Sequence, residues 1–359
     1  MKDIETFECN GFTYSKDYAD SSTKVEIEHG KESPTHLFKF YGMSKYSVDA
    51  LKNGYLYASH PLELNDILDS SYFLFNVSKP LDYSYYEKLF GPAYSDKLKL
   101  YEFYLQDIKN DCHSYIFELW QILTNKFGVV SMTSKEDNAL MWPHYTMESG
   151  FQLKFDTSNL ENSIKASLED TEEYLGLFPI NYTKILKPID ISQFRQMFIP
   201  LFYSTTIKSA QWEYEEEWRF LISKNNMGVP HSKSGLSHLS DYDTPVENRY
   251  AYYDNSLVEE ITVGRNFFKP RHFEQKRIGT KTVHLRPKNE SNWLYEDQKA
   301  FMEYVSENLS DKFYVSGVKY ELDENGILYL IRTKERMNVE QIGGGLYELT
   351  RTDEVIKLL

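Results

Sequence analysis

The sequence has little with which to tie itself together covalently. Two cysteines, Cys9 and Cys112, occur in 359 residues. They are too few for a disulfide framework and lack metal-ligand spacing, so a reducing compartment is expected and no metal site is. No run approaches the ~20 apolar residues of a membrane helix. The opening MKDIETFECNGF has no apolar segment of the secretory kind, so a cytoplasmic chain that engages no membrane is expected. Phosphate-cradling P-loop, dinucleotide glycine fingerprint, Ser-x-x-Lys and Gly-x-Ser-x-Gly patterns are all missing, which removes the commonest nucleotide-triphosphate and serine-nucleophile chemistries. Positive charge is in deficit, with 40 Lys and Arg against 54 Asp and Glu for a net charge of −14. A surface that coats polyanions generally is excluded, while one local basic face is not.

Aromatic residues are abundant: 29 Tyr and 22 Phe bring the aromatic share to 16%, and most of those rings must be core. Length and a 41% hydrophobic content suit one large domain with or without an appendage. Residues 1–35 are polar and aperiodic up to Pro34 and read as an arm; 36–288 read as the main domain; 289–359 change texture and read as a C-terminal helix and hairpin. Strands are expected at HLFKFYG, YLYAS, GVVSMTS, GFQLKFD, FPINYTK, EWRFLIS and EEITVG, with Ser44 capping and Gly54 ending a helix between the first two. Helices are expected over 83–126, from 157 and over 190–211, and a mobile loop over 224–247. The class is α+β.

Each motif that could carry chemistry also has a plainer reading. In WEYEEEWRF (212–220), Trp212, Tyr214 and Trp218 would be core while Glu213, Glu215, Glu216 and Glu217 form a solvated face with a local Glu-Arg pair. LELNDILD holds Asn65, Asp66 and Asp69, either a capping turn or ligand-orienting groups, and nothing nearby completes a calcium loop. MWPHYT sets Trp142 and Tyr145 beside His144, a ring clamp for a flat ligand or a packed corner. Ser131 and Thr133 are candidate contacts or satisfied strand hydroxyls. Lys39 leaves a cation on the inner edge of its strand, which requires an anion beside it if buried. Finally, residues 265–288 place eight Lys and Arg, among them Arg271, Arg277 and Arg286, against the single acid Glu274, with three phenylalanines between. Cations for phosphates and rings for bases suit single-stranded RNA or DNA; the plainer reading is a basic helix paired with the protein's own acidic surface.

In this order and spacing, the Lys-aromatic strand, the Asn-Asp pair, the Met-Trp turn and the Glu-x-Glu-Trp-Arg strand resemble a widespread bacterial family of unknown function, number two-nine-seven-one of its catalogue, over roughly 36–265. LFKFYGMSKYSVDALKNGYL, SMTS and EEE before WRFLI are also similar to the strand, Ser-x-Thr/Ser and Glu-x-Glu elements of ADP-ribosyltransferases, although Phe40-Tyr41-Gly42 stands where those have a His or Arg step. That resemblance implies a split mixed sheet around a cleft with flanking helices, and NAD as cofactor. It puts the catalytic role on Glu217 and the acceptor-facing role on Glu215. Lys39, Tyr41, Gly42, Ser131, Thr133, Trp142, His144 and Tyr145 become NAD contacts, with Lys39 paired to the pyrophosphate or to Glu217; Arg271, Arg277 and Arg286 would hold the target. Cleaving the nicotinamide bond develops oxocarbenium character at the ribose, which a carboxylate stabilises as it forms. The expectation is an NAD-dependent mono-ADP-ribosyltransferase of the toxin or phage-defence type, modifying RNA, DNA or protein and restrained by an antitoxin or chaperone. The alternatives are a non-enzymatic nucleotide- or partner-binding protein of a defence system, and an NAD glycohydrolase.

Overall fold

Strand EWRFLIS puts Trp218, Phe220 and Ile222 on one face and Leu221 on the other, so it is suited to lie between two cores. In the computed structural model it does. Trp218, Phe220 and Ile222 join one buried cluster and Leu221 the other. The structure describes residues 3–20, 24–90, 96–109, 116, 120, 123–168, 174–224, 227–228, 245–289 and 292–358.

One mixed sheet contains eleven strands. In chain order they are β1 (His36–Tyr41), β2 (Phe127–Thr133), β3 (Phe151–Asp156), β4 (Tyr174–Pro179), β5 (Glu217–Ser223), β6 (Glu260–Val263), β7 (Phe273–Arg277), β8 (Thr282–Pro287), β9 (Phe313–Leu322), β10 (Leu328–Gly343) and β11 (Leu346–Leu358). Their spatial order is β7-β8-β11-β10-β9-β6-β3-β1-β2-β5-β4. Neighbours are antiparallel except β6 and β9, which run parallel. The ladder is not uniform. β1 meets β3 along its full length, from His36↔Asp156 to Tyr41↔Phe151, but meets β2 only at Phe38↔Thr133. The sheet therefore parts between β1 and β2.

Helices Lys45–Asn53, Thr157–Ala166 and Tyr295–Asn308 cover one face, and helix Phe198–Thr206 the other. Ser44 accepts from the Ser47 amide at the start of the first helix and Gly54 closes it with φ 65°, as expected from the sequence. The first 35 residues are more ordered than an aperiodic arm: Ile4–Cys9, Phe12–Asp17 and Glu26–Glu28 form a small antiparallel sheet, and Tyr14 is buried with its hydroxyl on Thr206. From 289 onward the chain supplies helix Tyr295–Asn308 and three strands of the main sheet to the same core. Two local expectations change. The stretch 190–211 is α-helical only over Phe198–Thr206, because its β-branched end turns into strand Ile207–Ser209. The basic stretch forms hairpin strands β7 and β8, not a helix. Most of loop 224–247 and part of 83–126, with Cys112, lie outside the described residues. Among the described residues no helix is long and apolar enough to cross a membrane.

Candidate active site

A cavity of about 200 Å³ opens where the sheet parts. Lys39 and Phe40 of β1 form one wall and Ser131 and Met132 of β2 another, with segment Ser59–Asp69, Tyr145, Lys208, Trp212, Glu215 and Glu217 completing it. Lys39 spans the gap by donating from Nζ to the Ser131 carbonyl at 2.8 Å.

The Glu run reaches this cavity through an abrupt backbone change. Ser209 caps a 3-10 helix over Ala210–Glu215, and Glu216 then takes a left-handed conformation (φ 44°, ψ 48°) before β5 begins at Glu217. A non-glycine residue there costs roughly 1–2 kcal/mol. It is held by the Glu216 amide on the Glu213 carbonyl and by the Thr133 hydroxyl on the Glu215 carbonyl. The turn sorts the acids: Glu213 and Glu216 face solvent, as the plainer reading had it, whereas Glu215 and Glu217 are buried. Both buried carboxylates reach one ammonium, since Lys208 Nζ donates to Glu215 Oε2 at 2.6 Å and to Glu217 Oε2 at 3.0 Å.

Below Lys208 lies a second cation. Arg219, fully buried, donates from Nε to Glu217 Oε1 (2.7 Å), from Nη2 to Glu217 Oε2 (3.1 Å), and to both oxygens of Asp69 (2.8 and 2.6 Å). Lys208 is also 3.6 Å from Asp69, and it lies over the Trp212 ring. Three buried carboxylates thus share two buried cations, one negative charge more than the cations offset, an excess that disfavours ionisation of one of the acids. Their ionisations diverge. Burial alone would raise the Glu217 carboxyl, but Arg219 and then Lys208 outweigh it and hold it well below the usual carboxylate range. Glu215 goes the other way: burial, and next the neighbouring Glu217 charge, raise its carboxyl despite Lys208 and Tyr145. Burial lowers Lys208 in turn, yet Glu217 and Asp69 more than compensate and keep it charged.

Acceptor capacity separates the two glutamates further. A carboxylate offers about four lone-pair sites. Those of Glu217 take three donors, Arg219 Nε, Arg219 Nη2 and Lys208. Glu215 takes Tyr145 Oη at 2.5 Å and Lys208, which leaves room for a ligand donor.

The remaining candidates fall in three groups. Lys39, Ser131 and Tyr145 line the cavity beside the glutamates. Tyr41 and Gly42 line an adjoining groove of about 470 Å³ that shares Lys39, Phe40, Ser59 and Glu63 with it and is walled by Tyr46, Tyr55, Tyr57 and Tyr250. Thr133 and Trp142 are buried, Trp142 edge-on to Phe40, and His144 is exposed, 6.4 Å from the Tyr214 ring. Arg271, Arg277 and Arg286 are exposed on or beside the β7–β8 hairpin. β7 is the first strand of the sheet and β5 the tenth, a path on the order of 40 Å along the sheet at ~4.8 Å per strand. Asp66 accepts from Trp212 Nε1 and Asp69 from Arg219, so neither waits for a cation. Sequence reasoning missed Lys208 and Arg219. Their signal was a lone cation in the interior of an otherwise apolar or hydroxyl-bearing strand, which needs a buried anion.

Fold and site together define a mixed α/β protein with an acid-lined cleft at a parting of its sheet. Residues 141–220 match the profile of a family described as Protein of unknown function (DUF2971), which supports the first resemblance seen in the sequence. No curated protein and no solved structure matches the chain.

Proposed function

We propose that the cleft binds a nucleotide through its N-glycosidic end and transfers the ADP-ribosyl group of NAD to an acceptor on RNA, DNA or protein, as a toxin or phage-defence enzyme would. The observation that carries this reading is the pair Glu215 and Glu217, two carboxylates on one ammonium whose ionisations are pushed apart at the wall of a cavity. Such divergence is how one site obtains a fixed anion and a proton acceptor together. In the reaction the ribose C1′–N bond breaks, its electron pair leaves with neutral nicotinamide, and an acceptor oxygen or nitrogen bonds to C1′. The acceptor's proton passes to a carboxylate. Glu217, with Arg219 and Lys208 on its two oxygens, supplies fixed negative charge close to the developing oxocarbenium ion. Glu215 has the free lone pairs and the raised affinity for a proton that a general base requires. The roles implied by resemblance are therefore redistributed, with Glu215 touching the reactants. The tyrosine-walled groove suits the far, aromatic end of the ligand.

A second reading rests on one fact, the engagement of both Glu217 oxygens by Arg219 and Lys208. It makes the network structural and the protein a nucleotide-binding module without turnover. Labelled NAD incubated with the protein and cell extract separates these. Label on nucleic acid or protein, lowered ~100-fold or more in Glu215→Gln, is the expected result. Nicotinamide release without labelling indicates a glycohydrolase, binding without release indicates the module, and absence of NAD binding refutes the transferase and the glycohydrolase.

A further inference from the structure

The β9–β10 hairpin outruns the sheet to which it belongs. β6 pairs with β9 only over Phe313–Val315, and β11 pairs with β10 only from Arg332 onward. Residues 317–322 and 328–331 consequently form a two-stranded ribbon that no other strand flanks among the described residues. Such a ribbon is marginal in water unless something covers it.

Its register makes one face apolar. Tyr320 pairs with Leu330 and Leu322 with Leu328, and Val318 follows two residues from Tyr320. Opposed residues share a face, so these five side chains form one surface. Their exposure runs from 46% at Val318 to 72% at Tyr320. The reverse face is polar and already paired, with Lys319 on Glu335, Lys357 on Glu321 and the Tyr329 hydroxyl on Glu321. The five residues present on the order of 600 Å² of apolar surface, at the top of the range found on monomers.

We propose that this face is the interface of a homodimer, packed two-fold against the same face of a second copy. Two such faces together bury about 1,200 Å², the lower bound of stable interfaces. The five residues carry no charge, and Arg332, which shares their face opposite Val318, is already paired with Asp137 at 3.0 Å, so no unpaired charge on the face selects a partner of opposite sign or repels its own copy. A bilayer is disfavoured as the cover because the turn at the ribbon's tip is acidic, Asp323 and Glu324, and anionic headgroups repel it.

Sedimentation equilibrium of the full chain over roughly 1–100 µM tests the proposal, in the affinity range such areas reach. The wild type is expected to be dimeric at the upper end. Tyr320→Glu with Leu330→Glu, and separately Tyr320→Lys with Leu330→Lys, should each weaken association at least ~100-fold by setting like charges face to face. An equimolar mixture of the two should associate again, because only an interface in which the face meets itself pairs the opposite charges. Thermal unfolding confirms that each variant is folded, and Val318→Thr with Leu322→Thr provides a milder pair of high strand propensity that should weaken the dimer in the same direction. A wild type monomeric throughout, dimers that survive both charged variants, or a mixture that stays monomeric each overturns the proposal.

Discussion

Replacing Arg219 with Met tests whether the cleft rests on its buried charges. The guanidinium donates to Glu217, to both oxygens of Asp69, to the Ser70 hydroxyl at 3.2 Å and to the Thr205 carbonyl at 2.9 Å. Without it, Lys208 alone faces Asp69, Glu215 and Glu217. Removing one partner of a buried pair costs about 3–5 kcal/mol, and that loss is expected at pH 7 from urea midpoints at unchanged slope. The pH dependence carries a sign. A carboxyl held below its unfolded value, about 4.5 for Glu217, contributes stability that is present above that value and lost as pH falls through the folded one. The variant has little of that contribution left to lose, so its deficit against wild type should narrow on acidification below about pH 4.5. Glu215, raised instead, destabilises the fold as pH climbs from its unfolded value through the folded one, in wild type and variant alike. Arg219→Met combined with Asp69→Asn and Glu217→Gln should recover part of the loss, because a neutralised site leaves fewer orphaned charges. A cost under about 1 kcal/mol, or a deficit that does not shrink with acid, would refute the claim that the guanidinium holds the carboxylates.

Tyr145→Phe removes the hydroxyl that donates to Glu215 at 2.5 Å, a bond that lowers its carboxyl against the larger effect of burial. The Glu215 titration followed by carbon NMR should therefore move further up, and any activity governed by Glu215 should shift its acidic limb in the same direction. Removing the charges of Arg271, Arg277 and Arg286, all exposed, should leave stability within ~0.5 kcal/mol. It should also flatten the salt dependence of single-strand binding by about one per lost phosphate contact, measured by fluorescence anisotropy.

Much of the frame was legible in the sequence. β1, β2, β3, β5 and β6 announce themselves as short apolar or alternating runs, and the Ser44 and Gly54 signals place the first helix because their chemistry is local. The acids were legible as a cluster but not as individuals. The sequence reading put all four on one solvated face, whereas the burial of Glu215 and Glu217 depends on Lys208 and Arg219 and on a left-handed Glu216 that no local propensity favours. Arg219 and Asp69 are partners across 150 residues, a separation at which a sequence pattern carries no pairing information. The basic stretch shows the reverse error. Its charge was evident, yet its secondary structure was not, since Lys and Arg spaced among phenylalanines fit a helix and the exposed edge of a sheet equally well.

The charge network also shows why the cleft needs more of the chain than the stretch that matches the family profile. Residues 141–220 bring Tyr145, Lys208, Trp212, Glu215, Glu217 and Arg219. They do not bring Asp69, which takes both arms of the Arg219 guanidinium, or Lys39, which spans the parted strands. Two cations against two carboxylates would balance formally, but Arg219 would then have one carboxylate for a guanidinium built to serve two, and its Nη1, without Asp69 and the neighbouring Ser70 hydroxyl, would face only the Thr205 carbonyl. A buried cation with unmet donors is costly. Asp69 relieves that cost from a turn whose neighbour Asp66 is anchored to Trp212 Nε1 at 2.9 Å. The same bond ties the turn to the 3-10 helix that delivers Glu215, so the segment that neutralises the floor of the cleft also fixes the position of its wall.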